Sequence, residues 1–136
     1  MKMKVFLILF LLQGIYNENV FCQEVDSNGV RVMSLGFDEL TWAAISCEKF
    51  ATLEHHPNMK FRKITNKDSL FMLDSFLGKV KFKKKNRELD VRAQIKYEMN
   101  NKTIVTICLD SIDAMINGKL IKRNDPFVAF LFSMMP

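Results

Sequence analysis

A chain of 136 residues with net charge +5, 49% hydrophobic and 26% charged residues, has globular composition. That excludes the polar bias of a disordered chain and the apolar excess of an integral membrane protein, and so modest a positive balance is not the footprint of a dedicated nucleic-acid binder. The length suits one domain that buries a core without metals or several disulfides.

The basic head Met1-Lys2-Met3-Lys4, followed by the wholly apolar run Val5 to Leu12, has the build of a secretory signal peptide. The run falls far short of the roughly twenty apolar residues a spanning helix needs. Val20-Phe21-Cys22 before Gln23 favours cleavage after Cys22, giving a signal at 1–22 and a single α+β domain over 23–136, while the long polar lead Gln13 to Asn19 leaves an earlier cut as the alternative. Lipidation at Cys22 is the minority alternative, disfavoured by the bulky Phe21 in front of it. Loss of Lys2, Lys4 and Glu18 with residues 1–22 leaves a net charge of +4. Export leads to an oxidising space, periplasmic or extracellular, where Cys47 and Cys108 either form a disulfide or pack as two buried thiols. The packed thiols are the preferred expectation, because sequence cannot show that the two Cα atoms approach.

Gln23 to Gly29 reads as a polar lead. Val30 to Leu35 partly alternates and suggests a first strand at a sheet edge. Leu40 to Cys47 is ambiguous: its alanines permit a helix, while Leu40, Trp42 and Ala44 at alternate positions permit a strand, which is preferred on Thr41 and Ile45. Glu54-His55-His56-Pro57-Asn58 breaks the chain. Met59 to Thr65 reads as a short strand with Met59 and Phe61 inward, Lys60 and Arg62 outward. Thr65-Asn66-Lys67-Asp68 resembles a capping box, and Leu70, Leu73, Phe76 and Leu77 then share one helical face up to Gly78.

Leu89 to Met99 alternates throughout, with Leu89, Val91, Ala93, Ile95, Tyr97 and Met99 on one buried face and Asp90, Arg92, Gln94, Lys96 and Glu98 on a wet one. A three-residue loop through Asn100, Asn101 and Lys102 sets Tyr97 by Val105, Ile95 by Ile107 and Ala93 by Leu109, which keeps all the apolar residues together and leaves Cys108 on the other face. Asn101-Lys102-Thr103 at that tip is also a glycosylation triplet, meaningful only in a eukaryotic source. Ile112 to Ile116 is a further strand, and Asn117-Gly118 is a strong type I′ turn leading into Lys119 to Lys122. Asp125-Pro126 caps a helix over Phe127 to Met135. The sum is an antiparallel, meander-like sheet of about five strands flanked by two short helices, with the helices on one face.

Three stretches carry chemistry worth weighing. His55-His56 lack the spacing of a metal site and read as a solvated loop; no metal or cofactor is implied. Lys79, Lys81, Lys83, Lys84, Lys85 and Arg87 form a basic run that reads either as a solvated connection, preferred, or as a contact for an anionic lipid, a glycan or an acidic protein. The segment holding Phe127, Phe130, Leu131 and Met134 is apolar nearly all round; it caps the core, or else offers an outer face to a partner. No nucleophile elbow, EF-hand or phosphate loop is present, so a non-enzymatic interaction module is preferred to a small hydrolase or thiol enzyme.

Phe21-Cys22-Gln23, Ile64-Thr65-Asn66-Lys67-Asp68-Ser69, Asp90-Val91-Arg92-Ala93 and Thr106-Ile107-Cys108 with Asn117-Gly118 together resemble small exported proteins of Gram-negative bacteria. That group is of unknown function, so the resemblance implies a compartment and no activity.

Overall fold

The computed structural model describes residues 29–99 and 101–136; the signal peptide expected over 1–22, Cys22 with its lipid alternative, the lead up to Asn28, and Asn100 lie outside them. Six strands run in the order β2-β1-β3-β4-β5-β6, each antiparallel to its neighbours: β1 Val30–Ser34, β2 Lys60–Ile64, β3 Ala93–Glu98, β4 Ile104–Leu109, β5 Ala114–Ile116 and β6 Lys119–Leu120. Helices α1 (Cys47–Phe50, continued by a 3-10 turn over Ala51–Leu53), α2 (Lys67–Leu77) and α3 (Asp125–Ser133) complete an α+β fold. The meander β3 to β6 follows the sequence reading, with one strand more than expected in the whole sheet. The β1 strand is interior, not an edge, because β2 and β3 pair on either side of it.

The β3–β4 hairpin has the register that apolar matching requires: Tyr97 faces Val105, Ile95 faces Ile107 and Ala93 faces Leu109. Lys102 closes the loop in the left-handed region (φ 63°) with its N–H donating to the Met99 carbonyl at 2.8 Å, as a three-residue loop demands. Asn117 and Gly118 both take positive φ, 47° and 78°, which is the type I′ geometry joining β5 to β6.

One face of the sheet is covered by α2 and α3. Val30, Val32, Ile95, Ile107 and Leu109 meet Leu73, Phe127, Leu131 and Met134 there, and Phe76 stacks on Phe127 with ring centroids 5.0 Å apart. Asn66, rather than Thr65, is the N-cap of α2, accepting the N–H groups of Asp68 and Ser69. Asn124, rather than Asp125, caps α3 and accepts the N–H of Phe127, so the helix starts a residue or two earlier than expected. Tyr97 ties β3 to α2 by donating its hydroxyl to Asp74 at 3.1 Å. The far end of α3 is held at the sheet by Arg62 of β2, whose guanidinium donates to the carbonyls of Ser133 and Met135.

The opposite face, expected to be wet, is also covered. Met33, Leu35, Ile45, Phe50, Met59, Leu89, Val91, Cys108 and Leu120 make a second, smaller core under α1. Cys47 at the start of α1 is disulfide-bonded to Cys108 of β4, across a Cα separation of 5.8 Å. The preference for two packed thiols is therefore corrected. The lid it creates explains why Gln94 is buried in a strand whose alternation marks it as solvent-facing. Its amide donates to the Cys47 carbonyl at 3.0 Å, and its Oε1 has no partner. Leu89 and Val91 precede β3 and join this second core, so the unbroken alternation from Leu89 to Met99 spans two faces rather than one. Phe61 is corrected likewise: β2 is an edge strand with its outer part uncovered, and Phe61 is exposed with Arg31 over its ring.

Candidate functional site

The register places the chain that follows Ser34, Leu109 and Ile121, and the chain that precedes Lys60, Ala93 and Ala114, at one end of the sheet. That end is built by three connections. Residues 36–46 form an irregular loop, not the strand their alternation suggests. Its two alternating apolar side chains, Leu40 and Trp42, stand 96% and 108% exposed, and the third, Ala44, is exposed as well. These residues pair with no strand; the loop is held instead by side chains of the segment ahead of β3.

The loop is braced. Arg92, just ahead of β3, is buried, and its guanidinium donates to the Glu39 carbonyl at 2.8 Å, the Thr41 hydroxyl at 3.1 Å and the Asp90 carboxylate at 2.6 Å. The other oxygen of Asp90 accepts the N–H of Ile45 at 3.0 Å, and the Ile45 carbonyl accepts the N–H of Val91 at 2.8 Å. Asn58 holds the Glu39 carboxylate from the side at 2.9 Å. Burial pushes the Asp90 carboxyl up, but the Ile45 N–H and the Arg92 cation together outweigh it and hold the group below its ordinary value. Arg92 and Asp90 thus fix the loop on either side of Trp42, at Glu39 and Thr41 and at Ile45, while Leu40 and Trp42 stand in solvent.

The adjoining β4–β5 turn is braced in the same way. Asp110 accepts the N–H groups of Ile112 and Asp113 through one oxygen, and Arg87 spans the Asp110 and Asp113 carboxylates at 2.9 and 2.8 Å. Lys83 reaches Asp113 at 3.4 Å. Burial raises the Asp113 carboxyl, yet Arg87 and Lys83 bring it below its ordinary value. Ile112, at the tip, is exposed.

The basic run is not a free solvated loop. Phe82 bridges to Ile121, Lys83 donates its N–H to Leu120, Lys122 donates its own to Lys81, and the Asn86 side chain bonds both Gly118 and Leu120. The segment therefore lines the β6 edge. Lys83 and Arg87 are ion-paired as above, while Lys79, Lys81, Lys84 and Lys85 are exposed. Of the four residues offered as a partner surface on α3, Phe127, Leu131 and Met134 lie in the core and Phe130 is half-buried against Phe76, so this face is core rather than contact surface.

His55 lines an open cavity of about 690 Å³ between β1 and β2 with Arg31, Glu54, Phe61, Arg62 and Lys63, a set that contains no serine or cysteine. His56 accepts the Asn58 N–H through Nδ1 as part of its turn. Among the described residues, no three His, Cys, Asp or Glu side chains are placed to hold a metal. Both sulfurs of Cys47 and Cys108 are consumed in the disulfide, so neither is a free thiol here. No helix of the described residues is long and apolar enough to cross a membrane.

The exposed loop is hidden in the sequence by its own pattern, since Leu40, Trp42 and Ala44 alternate as a strand does. Ser46 is the available signal: it caps α1 by accepting the N–H of Lys49 at 3.3 Å, which marks a helix start where the alternation suggests a strand. No protein-family model, curated protein or solved structure matches this chain.

Proposed function

We propose that this chain is a non-enzymatic binding module that works outside the cytosol and engages a protein partner through the 36–46 loop. A single observation carries the reading: Leu40 and Trp42 are fully exposed on a loop that buried Arg92 holds in place. Large apolar side chains on a mobile tip lose conformational freedom on binding, whereas a braced loop has already done so. Tryptophan is also the residue type that most often dominates an interface when it enters a pocket on the partner. Asp38, exposed beside the apolar pair, supports a protein surface with a cationic rim over the anionic face of a bilayer. The extracytosolic setting rests on the Cys47–Cys108 disulfide, a bond that persists in oxidising compartments.

The test uses photo-crosslinking from position 42 in the native source, with position 104 as control, since Ile104 is also exposed but lies at the opposite end of the sheet. One defined crosslinked protein from position 42 and not from 104, competed by the unlabelled chain but not by its Trp42→Ala variant, is the expected result. Equal labelling from both positions would sink the reading. Trp42 is the only tryptophan, so a blue shift of its emission on neutral lipid vesicles, without a protein crosslink, would reassign the loop to a bilayer.

A further inference from the structure

Among the described residues, two of the six cations of the basic run have carboxylate counter-ions and four have none. Lys83 and Arg87 meet Asp113 and Asp110. Lys79 and Lys81 do not; they share instead a cavity of about 330 Å³ with Lys122 and Arg123, which arrive from the chain beyond β6. Pairing along the sheet edge fixes this meeting. With Phe82 bridged antiparallel to Ile121, Lys81 stands opposite Lys122, whose N–H donates to the Lys81 carbonyl at 2.7 Å. Like charges opposed across a strand pair are destabilising. No described carboxylate forms an ion pair with Lys79, Lys81 or Lys122, and Asp125 is taken by Arg123 at 2.5 Å. Asn124 completes the lining, and the Val80 and Ile121 side chains beneath are packed into the core.

We propose that Lys79, Lys81 and Lys122, with the Asp125-paired Arg123 at the rim, form an anion site that takes one phosphate or sulfate group, independent of the Trp42 loop. Such a group carries enough charge to offset the opposed lysines and enough acceptor oxygens to bond several ammonium groups at once. An extended polyanion would instead engage the whole run, so the exposed Lys84 and Lys85, beyond the ion-paired Lys83, are what separates the two readings.

The experiment titrates the full, disulfide-bonded chain with inorganic phosphate and with pyrophosphate, followed by amide NMR, and in parallel with vesicles containing phosphatidic acid. Saturable shifts centred on Lys81, Lys122 and Asn124 are expected. The paired variant Lys81→Gln with Lys122→Gln should weaken binding by about tenfold or more, since charge-assisted contacts are lost. Lys84→Gln with Lys85→Gln removes the same charge from the same run and should change it by less than about twofold. Saturable binding of the inorganic ions assigns the site to a free anion. Binding only to the vesicles, lost in Lys81→Gln with Lys122→Gln, assigns it to a lipid headgroup.

Equal weakening by the two paired variants, or no saturable binding to any of the three probes, overturns the proposal. Lys122→Glu supplies a second readout that folding failure cannot mimic. It turns the opposed pair into an attractive one, so its thermal midpoint should rise while anion binding disappears. A lowered midpoint with unchanged binding would also overturn the proposal. None of these results depends on the fate of the Trp42 crosslink.

Discussion

On one face of the sheet, Val32, Ile95 and Ile107 meet Leu73, Phe127 and Leu131, every one of them without exposed surface, under two helices of 11 and 9 residues. On the other, a four-residue helix is fastened by the Cys47–Cys108 disulfide, Gln94 lies buried with one oxygen unpartnered, and Arg92 and Arg87 organise the loops at the sheet's end. The first face is secured by area, through non-directional apolar contact that tolerates shifts in detail. The second is secured by a covalent bond and a few directional polar contacts, each of which acts on a specific loop. That difference teaches why the exposed contact residues sit where they do: polar braces hold Leu40 and Trp42 in place without covering them, which apolar burial cannot do.

The comparison is broken most severely from the first face. Phe127→Ala removes a ring with no exposed surface from between Phe76 and the sheet, and should cost about 3–5 kcal/mol in urea unfolding followed by circular dichroism. A loss under about 1 kcal/mol would mean that the helical layer contributes far less than its burial implies. Next in size is the disulfide. Cys47→Ser with Cys108→Ser opens a link between residues 61 apart in sequence and should cost about 2–4 kcal/mol. The same change should speed amide exchange in α1 more than in α2 or α3, and uniform acceleration would show that the two faces do not differ in the way described.

Arg92→Met is a smaller, sharper test. It leaves Asp90 without its cation and the Glu39 carbonyl without its donor, at an expected cost of about 1–3 kcal/mol. The fluorescence anisotropy of Trp42 should fall at the same time, because the loop loses its brace while the helical face is untouched. Unchanged anisotropy would show that Arg92 does not hold the loop.

The smallest effect is one of pH. Asp113 is held below its ordinary value of 3.8 despite the opposing effect of burial, by Arg87 and Lys83. A carboxylate whose folded value is depressed contributes stability that is fully present above its unfolded value and lost as the pH falls through the folded one. Stability should therefore decline below about pH 4, and Asp113→Asn should flatten that decline while lowering stability at neutral pH. An acid limb identical in the variant would place the titration elsewhere.

Much of the sheet was legible because strand pairing obeys local rules. The β3–β4 register followed from keeping Ala93, Ile95 and Tyr97 beside Leu109, Ile107 and Val105, and the β5–β6 turn followed from Asn117-Gly118. The apolar stripe of α2 was legible for the same reason, since period and capping residues are properties of neighbours in sequence. The contact end was not legible. Leu40 and Trp42 alternate as a buried strand would, and what holds them out in solvent is Arg92, some fifty residues further on.

By itself, then, the sequence determined the α+β composition, the meander from β3 to β6 and the helix that crosses the core, because hydrophobic period and turn chemistry act over a few residues. Only the tertiary structure decided that the second face is covered, that Cys47 reaches Cys108, that Lys83 and Arg87 are neutralised while Lys79 and Lys81 are left beside Lys122, and that Trp42 points outward. Each of these depends on segments far apart in the chain meeting at one place, and on which of them claims a given strand edge, carboxylate or core position first. Local pattern carries no information about that competition.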